Sequence, residues 1–349
     1  MWSVIGQDRA VSLLQRSLAM DSVAHAYLFT GPAHVGKMTL AVNLAQALNC
    51  AVAEPPCGAC SSCQKIAAGK HADVQVIVLN DETSEENRAK IGVGQIEELQ
   101  HLASLPPFEG KRKVFIIDGA EFFSSGAANR LLKTLEEPVG SVVFILLTGN
   151  EELLPATVVS RCQRLELHPL TVKGVEEALV SRWSVESPKA KLLARLSHGC
   201  LGWAVAALDE GLLQQRAEHL EKWLGITNGG FEERFSYAAQ LATQFNQKRG
   251  VVQERLDLWL EWWRDLLLAK VGLAEAVTNI DRLTDIVDMA ARCSLSQIRA
   301  FIDSIRAAMG QLKLNVNPRL VLEVLMLSIP ETEKHGGGSS AAQVEVKNG

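Results

Sequence analysis

The stretch Gly31-Pro-Ala-His-Val-Gly-Lys-Met-Thr39 follows the apolar run Ala26-Tyr-Leu-Phe29 and leads into residues 40–48, which are rich in helix formers. Strand, glycine-rich turn and helix in this order aim backbone N–H groups and a helix N-terminus at phosphate oxygens, with a lysine reaching the outer phosphates. Gly31, Gly36 and Lys37 fit the pattern G-x-x-x-x-G-K-[ST]; the last position does not. Met38 stands there, and the hydroxyl arrives one residue late as Thr39. That hydroxyl normally holds Mg²⁺, a role a thioether cannot fill. Whether such a loop still drives an ATPase is decided by what else the chain supplies.

At 349 residues the chain has length for two or three domains with buried cores. Its 47% apolar and 21% charged residues are those of an ordinary soluble globular protein. No signal peptide is expected, and apolar runs such as residues 142–147 are too short to span a bilayer, so the expected location is the cytoplasm. A net charge of −5 argues against nucleic-acid binding by bulk electrostatics alone, so any such contact would be local or shared with partners. Four of the seven cysteines cluster as Cys50, Cys57, Cys60 and Cys63, spaced C-x6-C-x2-C-x2-C among Pro55, Pro56 and Gly58. In a reducing compartment that spacing predicts a closed tetrahedral Zn²⁺ site, structural and not catalytic. Cys162, Cys200 and Cys293 are read as small buried hydrophobes.

Strands and helices alternate along the first half. Val11, Leu13, Leu14 and Leu18 give an N-terminal helix one apolar face, and Val74, Val76 and Val78 alternate as on a strand. A polar loop is expected at residues 80–87. Ile96, Leu99, Leu102 and Ala103 fall at helical spacing before the break Pro106-Pro-Phe-Glu-Gly110. Val114-Phe-Ile-Ile-Asp118 reads as a buried strand ending in a carboxylate, the pattern that sets an aspartate beside a phosphate-bound Mg²⁺. Ser124 or Ser125 caps the next helix, which Pro138 stops. Residues 142–147 form an apolar strand ending at Thr148, and residues 165–167 a further short one. This order implies a parallel sheet covered on both faces. Beyond it the chain is helical, with a turn at Asn228-Gly-Gly230 and a tail without apolar periodicity at residues 331–349. Trp259, Trp262 and Trp263 share a helical face; base stacking is one reading, but neighbouring Glu254, Asp257, Glu261 and Asp265 would repel a phosphate backbone, so core or interface packing is expected.

The run Asn129-Arg-Leu-Leu-Lys-Thr-Leu-Glu-Glu-Pro138 resembles a signature of bacterial replicative clamp-loader subunits, members of the AAA+ family. Leu154-Pro-Ala-Thr-Val-Val-Ser-Arg-Cys162 and the cysteine cluster after the phosphate-loop helix are similar to theirs as well. So are Leu256-Asp-Leu-Trp-Leu-Glu-Trp-Trp-Arg-Asp-Leu-Leu-Leu-Ala-Lys270 and Asn315-Val-Asn-Pro-Arg-Leu320, which look like a clamp-loader collar. The resemblance implies an α/β AAA+ module at 1–168 (a parallel sheet flanked by helices, with a zinc-bearing insertion at 50–63), a small helical lid at 169–226, an all-helical collar for oligomerisation at 227–330 and a disordered tail at 331–349. It implies assembly with gamma/tau and delta subunits, contact with a sliding clamp through the complex, and primer–template DNA within the assembled loader.

Ser160-Arg161-Cys162 matches the family's arginine finger, so Arg161 would act in trans on a neighbour's γ-phosphate. Gly31, Gly36, Lys37, Thr39, Asp118 and Thr148 form a degenerate nucleotide site. Active members carry a hydroxyl at Met38, a water-activating glutamate at Gly119 and an arginine at Gly202. With all three absent and Arg161 kept, a stator subunit of a DNA polymerase holoenzyme is expected, with no ATP hydrolysis of its own and with ATP binding left open. The rival is an active gamma/tau-like ATPase in which Thr39 holds the metal; a zinc-stabilised DNA-binding module is a third reading.

Overall fold

The computed structural model describes residues 2–78, 90–137, 141–314 and 316–330, with residue 210 by its backbone alone. The loop expected at 80–87, Pro138 and the tail at 331–349 lie outside these. The chain divides into two compact units, Met1–Glu210 and Gly211–Gly349.

The first unit runs α1 (Asp8–Ala19), β1 (Ala26–Thr30), α2 (Lys37–Asn49), α3 (Ser61–Ala67), β2 (Val74–Ile77), α4 (Val93–Ser104) and β3 (Lys113–Asp118). It continues with α5 (Ser125–Glu136), β4 (Val142–Thr148), α6 (Ala156–Val159), β5 (Gln163–Glu166), α7 (Val172–Trp183), α8 (Ser187–Leu196) and α9 (Leu201–Ala206). The strands form one parallel sheet in the order β2-β3-β4-β1-β5. Side chains alternate across a strand, and β1 divides accordingly. Tyr27 and Phe29 pack with Leu40 and Leu44 of α2 and Leu14 of α1. Ala26 and Leu28 pack on the opposite face with Ile96 and Leu99 of α4 and Leu131 and Leu135 of α5. Both faces are covered, as unbroken apolar strands require.

Two local expectations meet the structure differently. Ser124 is the cap of α5, its hydroxyl accepting the Ala127 N–H at 3.1 Å. The valine alternation does mark a strand, yet Val76 in β2 and Val78 just beyond its end stay about half exposed, because β2 is an edge strand of the sheet.

The second unit is helical: α10 (Glu210–Asn228), α11 (Phe231–Gln247), α12 (Arg249–Lys270), α13 (Leu283–Arg292), α14 (Leu295–Lys313) and α15 (Pro318–Leu327). Trp259, Trp262 and Trp263 are wholly buried, and Trp259 stacks on Trp223 with ring centroids 3.9 Å apart. They are core residues. The Asp265 carboxylate, also fully buried, accepts N–H bonds from the Thr278 and Asn279 backbone and from the Asn279 side chain, pinning the connection before α13 to α12.

Candidate functional site

The glycine-rich loop leaves the C-terminal end of β1, and α2 begins at Lys37. Two of its glycines are demanded by the backbone. Gly31 and Gly36 have φ of +141° and +107°, and a Cβ at Gly31 would lie 2.5 Å from the Leu167 carbonyl oxygen. Parallel register brings the ends of β1, β3 and β4 level, pairing Thr30 with Thr148 and Asp118 with Leu147. Ligand sites of open parallel sheets form at this carboxyl edge. An open cavity of about 620 Å³ lies there, with Gly36, Lys37, Met38, Thr39, Asp118, Gly119 and Glu121 in its wall.

Four of the six residues expected at a nucleotide site thus meet in one wall: Gly36, Lys37, Thr39 and Asp118. Gly31 stands at the root of the loop, outside the lining. Thr148 is buried, its hydroxyl taken up by the Asn150 N–H at 3.1 Å, and its neighbours Leu147 and Gly149 face the cavity. The Lys37 ammonium donates to the Gly31 and Pro32 carbonyls at 2.6 and 2.8 Å, which uses two of its three donors on the loop itself. Burial pushes Lys37 below the usual lysine value, while the charges of Glu121 and Asp118 act in the opposite direction.

At two of the positions where the resemblance led one to look for a catalytic side chain, the backbone favours glycine. Gly119 has φ +78°, a conformation in which a glutamate would be strained. Gly202, in α9, donates its N–H to the His34 carbonyl at 3.0 Å, and a Cβ there would stand 2.7 Å from the same oxygen. No arginine fits at Gly202 unless the loop moves. A second carboxylate beside Asp118 reaches the cavity from Glu121: one oxygen accepts the Gly149 N–H at 2.9 Å and the other is buried without a partner. Its only sequence signal is a second acidic residue three positions past Asp118.

Arg161 lies just after α6, outside the lining of this cavity. Its guanidinium donates to the Thr157 carbonyl at 2.9 Å and to the Glu136 carboxylate at 2.5 Å, and its side chain stays about one third exposed. Glu136, the last residue of α5, carries no signal that marks it as this partner.

The four clustered cysteines converge. Their sulfurs lie within 4.8 Å of one another, and Cys57 and Cys63 are 3.9 Å apart. Four thiolates about 2.3 Å from one tetrahedral ion stand roughly 3.8 Å apart, so the donor set fits a metal of that kind. The Cys60 N–H donates to the Cys57 sulfur at 3.3 Å. Backbone N–H groups of Cys63 and Ala51 pull the Cys60 thiol down to about 6, whereas burial drives Cys63 up to about 12. No helix among the described residues is long and apolar enough to cross a membrane.

Two family models match the chain: "DNA polymerase III, delta subunit" over residues 6–171 and "DNA polymerase III, delta subunit, C terminal" over residues 211–331. The chain is 28% identical to DNA polymerase III subunit delta′ of Bacillus subtilis, over 93% of its own length and 96% of that protein's. It is 26% identical to subunit tau of the same organism, over 98% of its own length but 63% of tau, so it spans less than two thirds of that relative. Among solved structures, a gamma subunit-related protein of Thermotoga maritima aligns with a TM-score of 0.42 and 18% identity, covering 92% of this chain and 98% of that one.

Proposed function

The chain belongs to the DNA polymerase III delta-subunit family, and from that membership we propose that it is the non-hydrolysing stator of a clamp loader. It assembles with gamma/tau and delta subunits to place a sliding clamp on primed DNA, and it lends Arg161 to a neighbour's ATPase site. The sheet unit is an AAA+ module with a lid from residue 169, and the helices from residue 227 form the collar. The single observation that carries this reading is the state of the cavity. Met38 replaces the metal-binding hydroxyl, Gly119 sits in a backbone unsuited to glutamate, and Gly202 is pressed against the loop. Loss of Mg²⁺ and water handling removes the electrostatic core of phosphoryl transfer and leaves a phosphate cradle. ATP, if held, would lie against Gly36 and Lys37, with Asp118 near its metal.

Arg161 supports the second half of the proposal. It stands away from the chain's own cavity and retains N–H donors beyond those given to Thr157 and Glu136. A guanidinium so placed can neutralise charge developing on a phosphate held by another subunit. Cys50, Cys57, Cys60 and Cys63 would hold one structural Zn²⁺.

ATP turnover by the purified chain tests the first half. None is expected, and Lys37→Ala should change nothing; turnover abolished by Lys37→Ala would restore the rival in which Thr39 holds the metal. For the second half, Arg161→Ala should leave assembly intact and lower DNA-stimulated hydrolysis by the reconstituted loader by about a thousandfold at the affected site. Full-rate hydrolysis would remove that role.

A further inference from the structure

The cavity at the edge of the sheet keeps the parts that hold inner phosphates and lacks those that serve an outer one. Gly31 and Gly36 shape the turn, and α2 begins at Lys37, so the first N–H groups of that helix have no partner within it. The Lys37 ammonium retains one donor beyond those given to the Gly31 and Pro32 carbonyls. Met38, by contrast, offers no hydroxyl for a metal, and Gly202, at the position the resemblance assigns to an arginine, offers no side chain. Among the described residues that line the cavity, Lys37 is the one lysine or arginine, set against two carboxylates, Asp118 and Glu121.

Glu121 is held in place. It lies in the short helical turn Ala120–Phe122 after β3, where Ala120 is fully buried and the Phe122 carbonyl accepts the Ile91 N–H at 3.1 Å. Its Oε1 accepts the Gly149 N–H at 2.9 Å, one residue past the end of β4, and its Oε2 has no partner. Capping the Gly149 amide accounts for one oxygen, and a glutamine would serve as well. The second oxygen, buried and unpaired, is a cost that this cap does not explain.

We propose, on the reading of this chain as a non-hydrolysing subunit, that its cavity takes a nucleoside diphosphate and rejects the triphosphate, with Glu121 as the discriminating residue. Two phosphates need only the N–H groups of the turn and Lys37. A third adds negative charge to a wall that already holds two carboxylates against one ammonium, with neither the metal-binding hydroxyl nor an arginine to offset it. The selectivity comes from an unpaired charge set against the wrong ligand. A diphosphate held this way fills the module without starting turnover.

The full chain, freed of nucleotide, is titrated calorimetrically with ADP and with ATP, each in EDTA and in Mg²⁺. ADP is expected to bind about tenfold or more tightly than ATP in both buffers, and Lys37→Ala should abolish ADP binding. Glu121→Gln keeps an oxygen for the Gly149 N–H and should melt as the parent does. It should leave ADP affinity within about twofold and raise ATP affinity about tenfold. ATP bound by the parent as tightly as ADP overturns the proposal, and so does a preference for ADP that Glu121→Gln leaves unchanged. So does a preference that Mg²⁺ reverses, since the two carboxylates would then hold a cation for the triphosphate. Binding of neither nucleotide overturns it too, and the non-hydrolysing subunit stands. ATP turnover abolished by Lys37→Ala would remove that reading and this proposal together.

Discussion

At Gly202 a hydrogen atom stands where a side chain would run into the His34 carbonyl at 2.7 Å, and the Gly202 amide already bonds that oxygen. His34 itself holds a left-handed backbone, φ +61°, so the loop has little freedom to yield. Gly202→Ala is therefore expected to destabilise the sheet unit by about 1–3 kcal/mol through overpacking, measured by denaturant unfolding. The combined change Met38→Thr, Gly119→Glu and Gly202→Arg should still give no ATP turnover, because the arginine has no room beside the His34 carbonyl and the glutamate would need a left-handed backbone; measurable turnover would show that the loop yields easily. Asp73 gives a residue-scale prediction of a different kind. Burial raises its pKa, but the bonds from Phe108, Glu109 and Gly110 outweigh that and hold it below the ordinary aspartate value. Its stabilisation is thus fully present above the ordinary carboxylate range and is lost as the pH falls through that range towards the lowered folded value. Asp73→Ala should cost about 2–4 kcal/mol at neutral pH, since three N–H groups lose their acceptor. The gap in melting midpoint between parent and variant should close on acidification; a gap constant down to pH 2 would show that the carboxylate charge is not what holds the loop.

Among the elements, those specified by local pattern were legible and those made by distant contacts were not. The apolar runs of β1, β3 and β4 identify themselves, as does the Ser124 cap, because period and cap chemistry lie within a few residues. The glycine-rich loop and the carboxylate ending β3 could be placed at one edge because parallel strands align their ends. The contact of Gly202 with His34 spans 168 residues, and that of Asp73 with residues 108–110 about 35, so no window of sequence contains either. The exposure of Val76 and Val78 has the same origin: alternation marks a strand but not its place at the sheet edge. The cysteine module lies between these cases. Its spacing announced four converging thiolates, and the sulfurs do converge. The fastening of the module to the Phe108 loop through Cys50 and Lys65 had no local signal. If the module is held by zinc, elemental analysis should find one zinc per chain. Chelation or Cys60→Ser should then lower the melting midpoint and expose the loop at 106–111 to proteolysis. A metal-free chain with unchanged melting would leave the cluster as four packed thiols.

On the scale of the whole molecule, helix α15 poses a problem that the isolated chain does not solve. Its sequence, Pro-Arg-Leu-Val-Leu-Glu-Val-Leu-Met-Leu, is apolar nearly all round. Val321, Leu322, Leu325 and Met326 fill the core of the helical unit with Trp263 and Phe301. Leu320, Val324 and Leu327, spaced i, i+4 and i+7, form a second stripe that is more than half exposed. The one charged pair on the helix, Arg319 with Glu323 at 2.8 Å, does not interrupt that stripe. A helix apolar on all sides is normally covered on all sides, and a stripe of this kind on a monomer marks an interface. Under the function proposed for this chain, the fitting cover is a helix of another subunit. Val324→Asp places a carboxylate at the centre of the stripe without touching the core residues beside it. The isolated chain should then melt as the parent does. Burying an unpaired charge at the contact costs about 3–5 kcal/mol, which at 1.4 kcal/mol per factor of ten weakens assembly by roughly a hundredfold or more. Sedimentation of the variant with gamma/tau and delta subunits should show free chain at concentrations where the parent is fully incorporated. Parent-like incorporation would mean that α15 faces solvent in the complex and that the proposed contact runs through a different surface.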